Sequence, residues 1–291
     1  MKIQEPINKV TRKQKLKNYS KHPGSFLLAL LTKLAILLTV LALGFILIYI
    51  LVKGIPNLST DLFALKYTTE NVSMLPAIIN TLIITLLSLC IAGPIGIFSA
   101  IYLVEYAKKG NKLVEVVRVT AETLTGIPSI VYGLFGMLFF VTTLKCGYSI
   151  LAGALTLSIM VLPVIMRTTE EALLAVPNSF REGSFGLGAG KLRTIFKIVL
   201  PSAVPGILAG VILAIGRIVG ETAALIYTAG TVAEIPSSIM SSGRTLAIHM
   251  YSLSKEGLYT NQAYATAVVL LIVVVLINML SNFVAKKFTK K

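Results

Sequence analysis

The sequence predicts an all-α membrane protein with six transmembrane helices. Three observations carry that prediction. The 291 residues are 55% hydrophobic and only 13% charged, with a mean hydropathy of +0.84. A soluble domain carries about a quarter charged residues, so lipid is the expected solvent. The apolar residues also fall into six runs separated by polar segments. Finally, the net charge of +15 gathers at the ends of those runs rather than over a face. Such placement is the pattern of topology signals and argues against nucleic-acid binding.

The first 25 residues are basic, with Lys2, Lys9, Arg12, Lys13, Lys15, Lys17 and Lys21 against Glu5 alone. The apolar run that follows, Phe26 to Val52, is too long for the core of a signal peptide and lacks a small-residue cleavage site. It is long enough to span a bilayer core, which takes about 20 helical residues. We read it as a retained first helix, with Lys33 snorkelling towards one surface. Pro76 opens a second span, Ala77 to Val104, with Gly93-Pro94 inside it as a packing kink or a hinge. The third span is read as Thr123 to Leu144, where Gly126, Gly133 and Gly136 allow close backbone approach. The fourth is Ile150–Met166, the fifth Val204–Gly230 and the sixth Ala263–Val284.

Charge tests this count. Residues 1–25, 105–122, 167–203 and 285–291 share one side in a six-span chain, and each is rich in Lys and Arg. The opposite loops hold only Lys53, Lys66, Lys145, Arg244 and Lys255. Both termini and the loop 167–203 are therefore expected in the cytoplasm. The expected organisation is a basic tail over 1–25, a transmembrane domain over 26–285 containing the polar cytoplasmic loop 167–203, and a short tail over 286–291.

No catalytic pattern stands out. Gly186 to Lys191 superficially resembles a phosphate-cradling loop. Phe185, however, stands where its first Gly belongs, Leu192 replaces the magnesium-binding Ser/Thr, and no strand precedes it. The chain is not expected to bind ATP or to be an enzyme. Cys90, Cys146, His22 and His249 lack ligand spacing, so no metal, cofactor or disulfide is expected. His249 reads as an outer-loop or interface side chain.

Two constellations remain. One is intramembrane charge: Arg217 and Glu221 in the fifth span, with Arg167 and Glu170 at the cytoplasmic end of the fourth. An Arg at a helix centre costs about 2.5–3.5 kcal/mol on insertion scales, so it should face protein or water. Arg217 and Glu221 are spaced to pair on one helical face. They are either a self-neutralising packing pair or a charged station where Arg grips an oxyanion bidentately. The other constellation is the glycine-rich, basic stretch Arg181–Pro201. Glu182 to Leu187 can form a short helix that Gly188 ends in a left-handed turn. It is either a solvated loop or a surface that touches a partner.

That stretch resembles the EAA motif of ABC importer permeases, E-A-A, three residues, Gly, nine residues, then I-x-L-P. Here the positions are Glu182-Gly183-Ser184, Gly188 and Ile198-Val199-Leu200-Pro201. Gly183 and Ser184 replace the two alanines and lower helix propensity, so the helix is expected to draw order from its partner. Further motifs are AIYLVEYA (Ala100–Ala107), ETLTGIPSIVYGLFG (Glu122–Gly136), LPVIMRTTEEAL (Leu162–Leu173) and GRIVGETAALIYTAG (Gly216–Gly230). Together they resemble the phosphate ABC transporter permeases, the last of them the PstA type more than the PstC type. The resemblance implies a type I ABC importer (MetI-like) permease fold in a prokaryotic plasma membrane. It also implies a transporter built with a homologous PstC subunit, two copies of the ATPase PstB and the external phosphate-binding protein PstS. Phosphate comes from the resemblance; the residues alone leave open another oxyanion, such as molybdate or sulfate, or an ion-driven secondary transporter.

Overall fold

The computed structural model describes residues 23–108 and 110–289, and no strand occurs among them. The basic tail read over 1–25 lies outside the described residues as far as His22, as do Lys290 and Lys291 at the other end. The chain divides into two compact units, Met1–Val52 and Lys53–Lys291. The first is carried by helix α1 (Pro23–Gly54), which is apolar all round apart from Lys33 and Lys53.

The second unit is built from ten further helices. Helix α2 (Leu75–Ile101) ends in a wide π-helical turn, Tyr102–Tyr106. Helix α3 (Lys112–Thr125) is followed by α4 (Ser129–Gly136), which continues as a second wide turn through Thr143. Then come α5 (Ile150–Leu174), α6 (Asn178–Gly186), α7 (Lys191–Thr194) and α8 (Leu200–Val219), the last two joined by a π-helical turn. Helices α9 (Ala223–Ile226), α10 (Leu246–Glu256) and α11 (Thr260–Thr289) complete the chain.

Five helices are long and apolar enough to cross a membrane, and α3 with α4 make a sixth only as a pair bent by 104°. The straight third span read over Thr123–Leu144 is therefore a bent one. Its cause is local: Gly126 and Pro128 stand at the break, and Pro128 adopts the extended conformation that starts α4. The fifth span is also shorter than Val204–Gly230, because α8 stops at Val219. Helix α2, by contrast, runs straight on through Pro94 as one element.

Helix α5 is the centre of this unit and packs along α2 and α8. Lipid tails are as apolar as Leu, so packing and interhelical hydrogen bonds must hold these helices together. Ser88 of α2 donates to the Ala154 carbonyl at 3.2 Å, and Ser158 donates to the Ser88 carbonyl at 3.2 Å. Such bonds contribute about 0.6–2 kcal/mol each. Ile84, Leu157, Met160, Ile165 and Ile218 fill the space around them. Of the three glycines in the third span, Gly133 meets backbone: a Cβ there would sit 2.8 Å from the Ala224 Cα. That close approach seats α9 on α4.

At the far end of α2 a second cluster forms. His249 on α10 is wholly buried, with its ring edge-on to Tyr67 at 6.2 Å. Burial, and then the neighbouring Arg244 cation, push its pKa from 6.5 down to about 3; the nearby Val72 backbone acts weakly the other way. The ring is neutral at neutral pH, and below about pH 6.5 a proton prefers the unfolded chain. Stability should thus fall as pH drops from about 6.5 towards 3. A His249→Phe variant should lose less thermal stability over that interval, followed by circular dichroism; parallel pH profiles for the two proteins would refute the assignment.

Candidate functional site

The stretch Arg181–Pro201 is mostly helical. Helix α5 runs past its apolar segment to Leu174, and α7 resumes at Lys191, so the loop read over 167–203 shrinks to the segment around α6. The polar end of α5 stays helical because its charges are paired. Arg167 bonds Glu171 one turn on at 3.2 Å and Glu122 of α3 at 3.3 Å, while Glu170 pairs with Arg118 of α3 at 2.5 Å.

Helix α6 extends over Asn178–Gly186, starting earlier than the expected Glu182, and is closed as expected by a left-handed turn at Gly188. Gly188 has φ +80°. Its N–H donates to the Phe185 carbonyl at 2.9 Å, and the Ala189 N–H reaches back to the Ser184 carbonyl at 3.1 Å. This reciprocal pair is the Schellman motif, which only glycine enters without strain.

Contacts within the chain order α6. Arg181 forms an ion pair with Glu105 at 2.7 Å, with side chains 15% and 8% exposed. The same guanidinium donates to the carbonyl of Leu173 (3.0 Å), in the last turn of α5, and to that of Val176 (2.8 Å), just beyond it. Ser184, standing where the motif has alanine, is buried and shares a 2.8 Å hydrogen bond with Thr194 of α7. Glu182 and Gly183 face outward. So do Phe180, Phe185 and Leu187, the last 91% exposed. A recess of about 280 Å³ beside them is lined by Ser184, Leu187, Gly188, Arg193, Lys197 and Ile198. Leu200 and Pro201 start α8.

The four charged candidates do not form one group. Arg167 and Glu170 line a cavity of about 320 Å³ with Arg118, Glu122 and Glu171. Arg217 lies elsewhere, in the last turn of α8, on a cavity of about 490 Å³ with Val164, Ile212, Leu213, Gly216 and Asn278. The expected Arg217–Glu221 pair is absent. Gly220 ends the helix, so the i,i+4 geometry is lost, and Glu221 instead accepts the Ala224 N–H at 3.0 Å and caps α9. Arg217 has no ion pair among the described residues. Its nearest polar company is Asn278, whose Oδ1 is buried without a partner, and the Tyr132 hydroxyl, which lies within its field and donates to the Leu124 carbonyl at 2.8 Å. No cluster of His, Cys, Asp and Glu fit for a metal occurs among the described residues.

Residues 92–291 match the family model of the binding-protein-dependent transport system inner membrane component. The chain belongs to that family. It is 36% identical over 269 residues to the phosphate transport system permease protein PstA of Pasteurella multocida, covering 88% of this chain and 92% of that one. It is 32% identical to the probable ABC transporter permease protein YqgI of Bacillus subtilis, over 84% and 88% of the two chains. A bacterial alginate ABC transporter matches the fold with a TM-score of 0.67 at 17% identity, over 94% and 98% of the chains. A methionine ABC transporter in an inward-facing conformation matches at 0.57 and 20%, over 84% and 98%. The fold is the MetI-like permease fold, and this family member is a multi-pass inner-membrane permease whose family works with separate ATPases.

Sequence reasoning passed over Arg181, Glu105 and Thr194. Glu105 was visible as an acid ending an apolar run, without a local partner. Removing Arg181 leaves Glu105 buried and unpaired, which costs about 3–5 kcal/mol for a buried pair. Arg181→Ala should raise amide hydrogen exchange across 178–190 by an order of magnitude or more, with α2 and α5 still protected. Unchanged protection of α6 would show that the pair is dispensable.

Proposed function

We propose that this permease is the PstA-type subunit of an ATP-driven phosphate importer. The reading rests chiefly on the 36% identity, over nearly the whole of both chains, to a phosphate transport system permease. The importer would contain a homologous PstC-type subunit supplying the other half of the pore, two copies of a PstB-type ATPase, and a PstS-type phosphate-binding protein outside. The basic segments favour the cytoplasmic side for both termini and α6.

Helix α6 is the docking element. Its outward face carries Phe180, Phe185 and Leu187, apolar groups that a soluble groove would cover. Motion of the ATPase would pass through Arg181 into the ends of α2 and α5, because one guanidinium bonds both. A rigid link of this kind transmits displacement without melting. Glu182, Gly183, Ser184, Gly188, Ile198, Leu200 and Pro201 are the motif positions that build it. ATP is hydrolysed in the partner, not in this chain.

Arg217 is the substrate-passage residue. It lies level with Val164 near the middle of α5, carries an uncompensated charge and borders a cavity. Its planar fork suits a phosphate oxyanion. Arg167, Glu170 and Glu221 support the path less directly: the first two belong to a paired network beside α3 that must rearrange if that end opens, and Glu221 fixes the turn after α8.

Arg217→Gln should reduce phosphate uptake to background while insertion and co-purification of the ATPase persist; normal uptake would remove Arg217 from the path. Competition by sulfate and molybdate in the same assay separates phosphate from the other oxyanions. Orientation has its own test. In a background without Cys90 and Cys146, Gly190→Cys should react with an impermeant thiol reagent only in inverted vesicles. Met240→Cys should react only in right-side-out cells, and labelling of both from one side would overturn the topology.

A further inference from the structure

The cluster at the start of α2 holds a second arginine whose charge the chain does not balance. Arg244 is 6% exposed and forms no ion pair among the described residues. Its guanidinium stacks over the Tyr67 ring at 4.5 Å, which stabilises the cation through the ring face. That contact uses the flat of the group. The edge is left over: Nε and Nη2 are both buried without a hydrogen-bond partner. These two nitrogens are adjacent donors, the pair with which arginine grips a tetrahedral or planar oxyanion bidentately.

The neighbours have matching gaps. Thr245 Oγ1 is buried without a partner, and the His249 ring, touched only weakly by the Val72 backbone, makes no hydrogen bond of normal geometry. Thr245 and His249 are one turn apart, joined by the His249 N–H to Thr245 carbonyl bond at 2.8 Å. Asn80 adds an acceptor. Its Nδ2 donates to the carbonyls of Glu234 (3.0 Å) and Arg244 (3.1 Å), which fixes the amide's orientation and leaves Oδ1 buried and unpartnered. Buried polar atoms are nearly always bonded, and a buried cation without a counter-charge is unfavourable by several kcal/mol. Unmet donors beside unmet acceptors, Asn80 Oδ1 and one nitrogen of the neutral His249 ring, fit an anion that keeps a proton.

We propose that Arg244, with Asn80, Thr245 and His249, forms a binding site for a phosphate-class oxyanion at the end of the bundle opposite α6. The two guanidinium nitrogens hold two oxygens, while Thr245 and the neutral His249 supply further hydrogen bonds. Asn80 Oδ1 accepts the proton that phosphate retains and sulfate lacks. From Asn80 to Glu105, which binds α6 through Arg181, α2 and its terminal turn advance 25 residues. At about 1.5 Å per residue that distance exceeds the hydrocarbon thickness of about 30 Å. The site is therefore at the other membrane surface from α6 and separate from Arg217. It deepens the phosphate-import reading and rests on it for the identity of the anion.

The test uses the assembled transporter in lipid nanodiscs without its binding protein, carrying Arg217→Gln so that the mid-membrane arginine does not contribute. Radiolabelled inorganic phosphate should still bind. Adding Arg244→Gln should weaken that binding about ten-fold or more, and Arg244→Lys, which keeps the charge but loses the two-nitrogen edge, should also weaken it. Unchanged affinity in both overturns the site. Where Arg244→Gln does not assemble, the Lys variant decides alone. Equal affinity for sulfate would remove Asn80 from the site. Arg244-dependent binding of sulfate in a transporter that takes up no phosphate would refute the phosphate reading and leave an oxyanion site. Phosphate uptake with Arg244-independent binding would refute the site and leave the reading.

Discussion

The ion pair between Arg181 and Glu105 is the constraint on which the rest of the second unit's working end depends. Neither group can be buried alone: an isolated charge in an apolar setting costs far more than one lost hydrogen bond. Together they also solve a second problem. The end of α5 leaves carbonyls short of helical N–H partners, and Arg181 bonds the Leu173 carbonyl in its last turn and the Val176 carbonyl just beyond it. One side chain thereby joins three elements: the turn after α2, the end of α5 and α6 itself. The wide turn Tyr102–Tyr106 presents Glu105 there. Leu103, Leu173, Val176, Ile195 and Val199 belong to one buried apolar cluster, and the pair itself is largely buried.

That arrangement explains why a weak helix-former sequence is helical. Gly183 and Gly186 each disfavour a helix by up to about 1 kcal/mol relative to Ala. Nine residues are also too few for an isolated helix in water. The stabilisation comes from tertiary contacts instead: Arg181 at the first turn, the Ser184–Thr194 hydroxyl bond at the second, and the Schellman closure at Gly188. The family motif has two alanines where this chain has Gly183 and Ser184. Ser184 replaces propensity with a specific buried bond, and Gly183 faces outward with open space around it. The same reasoning covers the paired end of α5, where Arg118, Glu122, Arg167, Glu170 and Glu171 keep a charged segment helical.

Much of this was legible in the sequence because lipid imposes strict rules. Helices α1, α2, α5, α8 and α11 follow from unbroken apolar runs, since every backbone group within hydrocarbon must be satisfied inside the segment. The Gly188 turn followed from local chemistry too. The misreadings have a common cause, that apolarity does not report where the backbone turns. Gly220 ends α8 inside a run that stays apolar to Gly230, and Pro128 breaks the third span although its neighbours are Ile127 and Ile130. Once α8 stops at Val219, spacing along the sequence no longer gives a helical face, and Glu221 becomes a cap rather than the partner of Arg217. Glu105 with Arg181, and Asn80 with Arg244, are contacts between residues 76 and 164 positions apart. No local pattern encodes them.

Arg193 is exposed on α7; the other five arginines of the second unit fall into two kinds, and the division orders the candidate residues. Arg118, Arg167 and Arg181 each hold a carboxylate. An anion approaching them must compete with Glu170, Glu122 or Glu105 and would leave that acid unpaired, so these pairs suit holding or switching a structure. Arg217 and Arg244 have no such partner among the described residues; Asn278 lines the same cavity as Arg217, and Asn80 bonds the Arg244 carbonyl, each with its own Oδ1 unpartnered. An uncompensated cation in a low-dielectric setting attracts an anion more strongly than the same group in water. On the proposed reading, one such cation near mid-depth and another at the end away from α6 would give a small oxyanion two stations in sequence, neither requiring a structural ion pair to break. Low occupancy of each station, rather than tight binding at one, is what passage through a pore demands, because a site that holds its anion too strongly stops the flow.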